Sequence, residues 1–155
     1  MVLWFYLLVL ILSGCAASRP PLEPGIPLVP SQPAEAIAAF ENAVSEEPGS
    51  REAELTRIEY LLERMGESPY NFIRNGSRYN GKRAQVHLRW KYLRNQKQIR
   101  TAEDFVNRIA TRSKISGESY YLVVLPDKSR RPLREFLLYE LHEFDQALEK
   151  RRSSE

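Results

Sequence analysis

Tyr70-Asn71-Phe72-Ile73-Arg74-Asn75-Gly76-Ser77-Arg78-Tyr79-Asn80 decides the fold class. Asn-Gly between two short runs of aromatic and apolar residues is the strongest local hairpin signal. A type I′ turn needs two positive φ angles, and Asn and Gly accept them at least cost. The stretch therefore reads as a strand over 70–74, a turn at Asn75-Gly76 and a return over 77–79. On either side the apolar period lengthens to that of a helix. Upstream, Leu55, Ile58, Leu62 and Met65 repeat at i, i+3, i+7 and i+10 behind an N-cap at Ser50, with Gly66 placed to close the helix. Downstream, Asn80 is the N-cap of a helix with Ala84, Leu88, Tyr92 and Ile99 on one side. Val86, Trp90 and Leu93 lie on another side, and two apolar sides predict a central helix with neighbours both ways.

Thr101-Ala102-Glu103-Asp104 is a capping-box-like start, with Asp in place of the usual Glu or Gln. Its helix carries Phe105, Val106 and Ile109 and ends near Arg112. Ser116-Gly117 turns the chain into a β-branched and aromatic run over 120–125, the best strand signal present. Pro126-Asp127 turns again. Pro132 opens a last helix at its first position, with Leu133, Leu137, Leu141, Phe144 and Leu148 as one stripe. Helix, hairpin, helix, helix, strand, helix is an α+β order. The reading is a mainly helical single domain with a small antiparallel sheet of two to three short strands. With 155 residues, 43% of them hydrophobic, one folded unit is expected, over 50–155.

The N-terminus reads differently. Residues 1–12 are almost wholly apolar, too few to span a bilayer but the length of a signal-peptide core. They run into Leu12-Ser13-Gly14-Cys15, which resembles the bacterial lipobox and uses the single cysteine of the chain. That resemblance implies a signal peptide over 1–14, cleavage after Gly14 and a lipid on Cys15. Ala16 in place of Asp resembles lipoproteins sent on to the outer membrane, facing the periplasm. Six of the ten prolines fall between Pro20 and Pro33, so 15–49 reads as an extended tether. Within it, Ile37, Phe40 and Val44 carry the spacing of a short helix, broken by Glu46-Glu47-Pro48-Gly49. A lone cysteine excludes an intramolecular disulfide and a cysteine zinc site, and two histidines leave little for a metal. Neither a metal nor a cofactor is expected.

Charge is the most informative feature of the domain. Over 68–102 there is no acidic residue, against Arg74, Arg78, Lys82, Arg83, Arg89, Lys91, Arg94, Lys97 and Arg100. Cations in the first turn of a helix oppose its dipole, and like charges one turn apart repel. Two sources of counter-charge are open. Acidic-leaning helices on either side can neutralise the basic one as ordinary exposed pairs. Alternatively the surface meets an anionic envelope polymer or an acidic protein. Nucleic acid is not an expected partner of an exported lipoprotein, despite a net charge of +3.

Phe72-Ile73-Arg74-Asn75-Gly76, then His87-Leu88-Arg89 with Lys91, then Thr101-Ala102-Glu103-Asp104-Phe105, then Ser116-Gly117 with Tyr120, stand in this order. Together they resemble the exported bacterial domain-of-unknown-function family 5329, over about 53–141. The resemblance implies no activity. Members often carry a His shortly after the Asn-Gly turn, where this chain has Tyr79.

Arg74, Asn75, His87, Arg89, Lys91 and Glu103 are the candidate anion- or partner-binding residues. His87 and Lys91 lie one turn apart, and Arg74 is placed to clamp a carboxylate or phosphate. The plainer reading is that His87 and Lys91 bond carbonyls or Glu103 and fix a helix corner. The preferred function is a membrane-anchored binding or accessory module. The alternative is a hydrolase-like envelope enzyme using His87, Lys91 and Arg74. No Gly-x-Ser-x-Gly elbow or phosphate-cradling glycine loop supports catalysis, and Ser113 and Ser116 have no spacing that does.

Overall fold

The computed structural model describes residues 25–111 and 121–154. Its elements are α1 (Ala38–Ser45), α2 (Arg51–Glu67), β1 (Asn71–Arg74), β2 (Ser77–Asn80), α3 (Gly81–Asn95), α4 (Ala102–Asp104), β3 (Leu122–Val124), β4 (Arg130–Pro132) and α5 (Leu133–Ser153). This is the expected mainly helical α+β architecture, with four short antiparallel strands in the order β2-β1-β3-β4. The turn expected at 116–117, Ser113 and Tyr120 lie outside the described residues.

Local chemistry sets the start of each central element. Ser50 Oγ accepts from Ala53 N–H at the head of α2. Asn75 and Gly76 hold φ of 49° and 75°, the two positive values of a type I′ turn. Asn80 Oδ1 accepts from Arg83 N–H and starts α3. Gly81 lies so close to α2 that a Cβ there would collide with the Met65 carbonyl, which lets the two helices abut. Thr101 Oγ1 accepts from Asp104 N–H, while the Asp104 carboxylate accepts from Arg100 N–H. After α4 the chain widens into a π-turn over Phe105–Ala110, with Phe105, Val106, Ile109 and Ala110 buried.

The core is formed by Ile58, Leu61, Leu62 and Met65 of α2 with Leu88 of α3, Phe72 and Val123 of the sheet, and Leu133, Leu137 and Phe144 of α5. Phe72 pairs with Val123 across β1 and β3, which joins the hairpin to the later strand.

Several expectations are corrected. Leu55 is exposed, and Tyr60 and Leu61 take its place in the buried face of α2. Gly66 stays inside the helix, which ends at Glu67 with Ser68 as its C-cap. Pro132 is the N-cap of α5 and the last residue of β4, a strand whose Arg-Arg-Pro sequence carries no alternating pattern. The second apolar side of α3 is left open among the described residues: Val86 is 62% exposed, Trp90 54% and Leu93 54%.

The largest correction concerns the tether over 15–49. Its second half is folded: Leu28, Val29, Ala34, Ile37, Phe40 and Ala43 are all buried. Prolines keep this backbone extended and without ladder partners, so its carbonyls need other donors. Arg64 supplies them, donating Nη1–H to Gln32 O at 2.8 Å and Nη2–H to Val29 O at 3.2 Å. Arg152 does the same at the end of α1, donating to Ala43 O and Glu46 O.

Candidate functional site

Three of the six candidate residues converge. Arg74 ends β1, His87 and Lys91 lie on α3, and the His87 ring is edge-on to Tyr121 at 6.1 Å. Burial lowers the basicity of His87, and the nearby charges of Arg74 and Lys91 lower it further. The Lys91 ammonium is buried and donates to Ile109 O at 2.6 Å, so it ties α3 to the π-turn. That is the corner-fixing role among the two readings of this residue.

The other three go elsewhere. Asn75 is exposed in the hairpin turn. Arg89 forms a two-pronged pair with Glu59 of α2. Glu103 is bound by Arg57 at 2.8 Å. Burial raises the Glu103 carboxyl, but the Arg57 hydrogen bonds and charge outweigh this and hold it below the usual range. Cys15 lies outside the described residues.

Two charged nodes escape a reading of local sequence. In the first, Arg57 gathers Glu54, Glu103 and Asp145 from three helices. Glu54 also accepts from Ala102 N–H and seats the start of α4. In the second, the buried Glu140 accepts from Arg64 Nε–H at 2.7 Å, from Tyr60 O–H at 3.0 Å and from Leu28 N–H. Burial and the Glu140 charge push the Tyr60 hydroxyl far above its ordinary range, so it remains a donor. The signal for this node is a lone Glu140 inside the apolar stripe of Leu137, Leu141 and Phe144. Buried carboxylates are rare unless paired.

These nodes decide how the basic stretch is neutralised. Three acids of α5, Glu135, Glu140 and Asp145, are directed to Arg131, Arg64 and Arg57, and α2 contributes Glu59 to Arg89 of the basic stretch. Arg78, Lys82, Arg83, Arg94, Lys97 and Arg100 are exposed, and among the described residues none has a carboxylate within 4.0 Å. Internal neutralisation therefore covers Arg89 and leaves most of this surface positive. Two of its guanidiniums rest on aromatic rings, Arg83 over Tyr79 at 5.4 Å and Arg94 over Trp90 at 4.7 Å.

Comparison with known proteins gives a family and no activity. The profile of a family of unknown function, DUF5329, matches residues 52–145, close to the span expected from the motifs. The chain is 35% identical over 68 residues to the uncharacterised protein YfeK of Salmonella typhimurium. That alignment covers 43% of this chain and 57% of YfeK, less than two thirds of the relative's length. No solved structure matches the chain.

Proposed function

The chain belongs to the DUF5329 family of unknown function, and from that premise we propose that it is an exported, lipid-anchored binding or accessory module. In this reading Cys15 carries the lipid. The folded domain then sits at the outer membrane, facing the periplasm, and presents the basic surface of β2 and α3 to an anionic envelope component or an acidic protein. The supporting observation is the group of six exposed cations with no carboxylate within 4.0 Å among the described residues. Among the described residues no carboxylate pairs with them to relieve their mutual repulsion, and an anionic partner would.

Two measurements test this. Globomycin should cause an unprocessed precursor to accumulate, and a mature protein with unmodified Cys15 contradicts the anchor. The full chain should be retained on isolated envelope fractions at low salt and released at high salt, because exposed charge pairs are screened. Retention should fall with Lys82→Gln, Arg83→Gln and Arg94→Gln together. Equal retention by that variant contradicts the basic-surface reading.

An enzymatic reading draws on one observation, a histidine whose basicity is lowered by burial and by the nearby charges of Arg74 and Lys91. A neutral imidazole is able to act as a base. It requires a turnover on an envelope substrate that His87→Ala abolishes, and the absence of any such turnover removes it.

A further inference from the structure

The outward face of α3 is arranged in a way that the charge count alone does not convey. At about 100° per residue along a helix, Lys82, Leu93, Val86, Trp90, Arg83 and Arg94 fall in that order across an arc of roughly 120°. Val86, Trp90 and Leu93 form the middle of the arc and are more than half exposed. Lys82 borders one side, and Arg83 and Arg94 border the other, all three exposed. Lys97 continues the line in the 3-10 turn Gln96–Gln98. On the opposite face Ala84, Leu88 and Tyr92 are buried in the domain.

We propose that this face is a lipid-contact surface. Val86, Trp90 and Leu93 enter the boundary between headgroups and acyl chains of an anionic bilayer, while Lys82, Arg83, Arg94 and Lys97 engage lipid phosphates. The proposal rests on the basic-surface reading above and narrows its partner to phospholipid.

Three features carry it. First, an apolar stripe with cations on both borders is the layout of a helix lying in a membrane interface. Long basic side chains keep their charge in the headgroups while their stems follow the apolar stripe inward. Second, Trp90 supports the Arg94 guanidinium at 4.7 Å, which sets an apolar ring and a phosphate-binding group at one depth. Tryptophan favours sites with one wet and one apolar side. Third, the positive potential fits an anionic surface, and no acid occurs over 68–102 to oppose it. An acidic protein patch would answer the cations but leaves no role for Val86 and Leu93. The proposed anchor also brings the face within reach of a membrane. Because the chain is folded from Leu28 onward, the thirteen-residue span from Cys15 to Leu28 can extend at most about 45 Å.

The chain holds two tryptophans, Trp4 and Trp90. In a full-length Trp4→Phe form, Trp90 alone reports, whether or not the N-terminus is processed. Its emission should move to shorter wavelength in phosphatidylglycerol vesicles and be quenched by brominated acyl chains. Both effects should be absent in phosphatidylcholine. Lys82→Gln, Arg83→Gln, Arg94→Gln and Lys97→Gln together should reduce the quenching to the phosphatidylcholine level with an unchanged circular dichroism spectrum. Emission unmoved by phosphatidylglycerol overturns the lipid assignment. Polyglutamate binding, measured by anisotropy in the same sample, separates the two readings. If polyglutamate binds while lipid does not, the basic-surface reading stands with a non-lipid partner. If neither binds, both readings fall.

Discussion

Replacing Arg64 with Met should destabilise the protein more than any surface change and release the segment before α1. Arg64 is 2% exposed and Glu140 1%. The pair is held by two hydrogen bonds, at 2.7 and 3.2 Å. Without Arg64, Glu140 keeps only Tyr60 O–H and Leu28 N–H, and its charge stays buried. Breaking a buried pair from one side costs about 3–5 kcal/mol. The carbonyls of Val29 and Gln32 lose their donor in the same step. For a domain of this size, each kcal/mol moves Tm by roughly 3–5 °C, so a drop of about 9–25 °C is expected. Replacing both residues by Met leaves no buried charge. It strands only neutral groups, Leu28 N–H and Tyr60 O–H among them, at up to about 1–3 kcal/mol for each that stays unpaired, and replacement of a whole buried pair by apolar residues is often close to neutral. The double variant should therefore be more stable than either single one. Thermal unfolding followed by circular dichroism measures this order. Limited proteolysis should show new cleavage between residues 25 and 37 in the single variants first. A single variant within 1 kcal/mol of the parent, or a double variant less stable than both singles, refutes the reasoning.

Arg57→Met should cost about 2–4 kcal/mol in urea denaturation: Glu103 and Asp145 are half exposed and regain water, while the buried Glu54 loses its cation and keeps Ala102 N–H. Gly76→Ala should cost about 1 kcal/mol through its φ of 75° alone, since nothing lies within 4 Å of an added Cβ. His87 titrates lower in the folded protein than in the unfolded chain. The unfolded state then binds the proton more readily, so stability should decline as pH falls through about 6.5, the unfolded value. His87→Gln should flatten that decline in melts between pH 7.5 and 5.5. Replacing Val86, Trp90 and Leu93 by Ser together should leave Tm nearly unchanged, because exposed positions contribute little to stability. A large loss would show that the face packs within the domain.

What sequence alone conveyed was whatever is decided within a few residues. The Asn75-Gly76 turn and the Ser50, Asn80 and Thr101 caps are local hydrogen-bonding and φ problems, and the structure solves them as read. The pairing of Phe72 with Val123 is not local, and β4 has no apolar alternation to reveal it. Six prolines mark an extended backbone but do not say whether a distant arginine will bind its carbonyls. Here Arg64 does, and the expected tether over 15–49 becomes part of the core from Leu28. Two apolar sides on α3 are equally consistent with two neighbours or with one neighbour and one open face. Only the packing distinguishes them, and it leaves Trp90 outside. Among the candidate residues, Arg74, His87 and Lys91 were grouped by helical spacing and hairpin reach. Arg89 and Glu103 were misgrouped because their partners, Glu59 and Arg57, come from an earlier helix.

The most direct test of the central claim places a photo-crosslinking amino acid at Val86 in the full chain, expressed in bacteria. The same probe at Glu35, exposed on the N-terminal segment in a 3-10 turn that contacts α1 and α5, serves as the control. Crosslinks to envelope phospholipid should form from position 86, decrease in the variant lacking the Lys82, Arg83, Arg94 and Lys97 charges, and be absent from position 35. Equal labelling from both positions, or none from position 86, would contradict the assignment of this face as a lipid-contact surface.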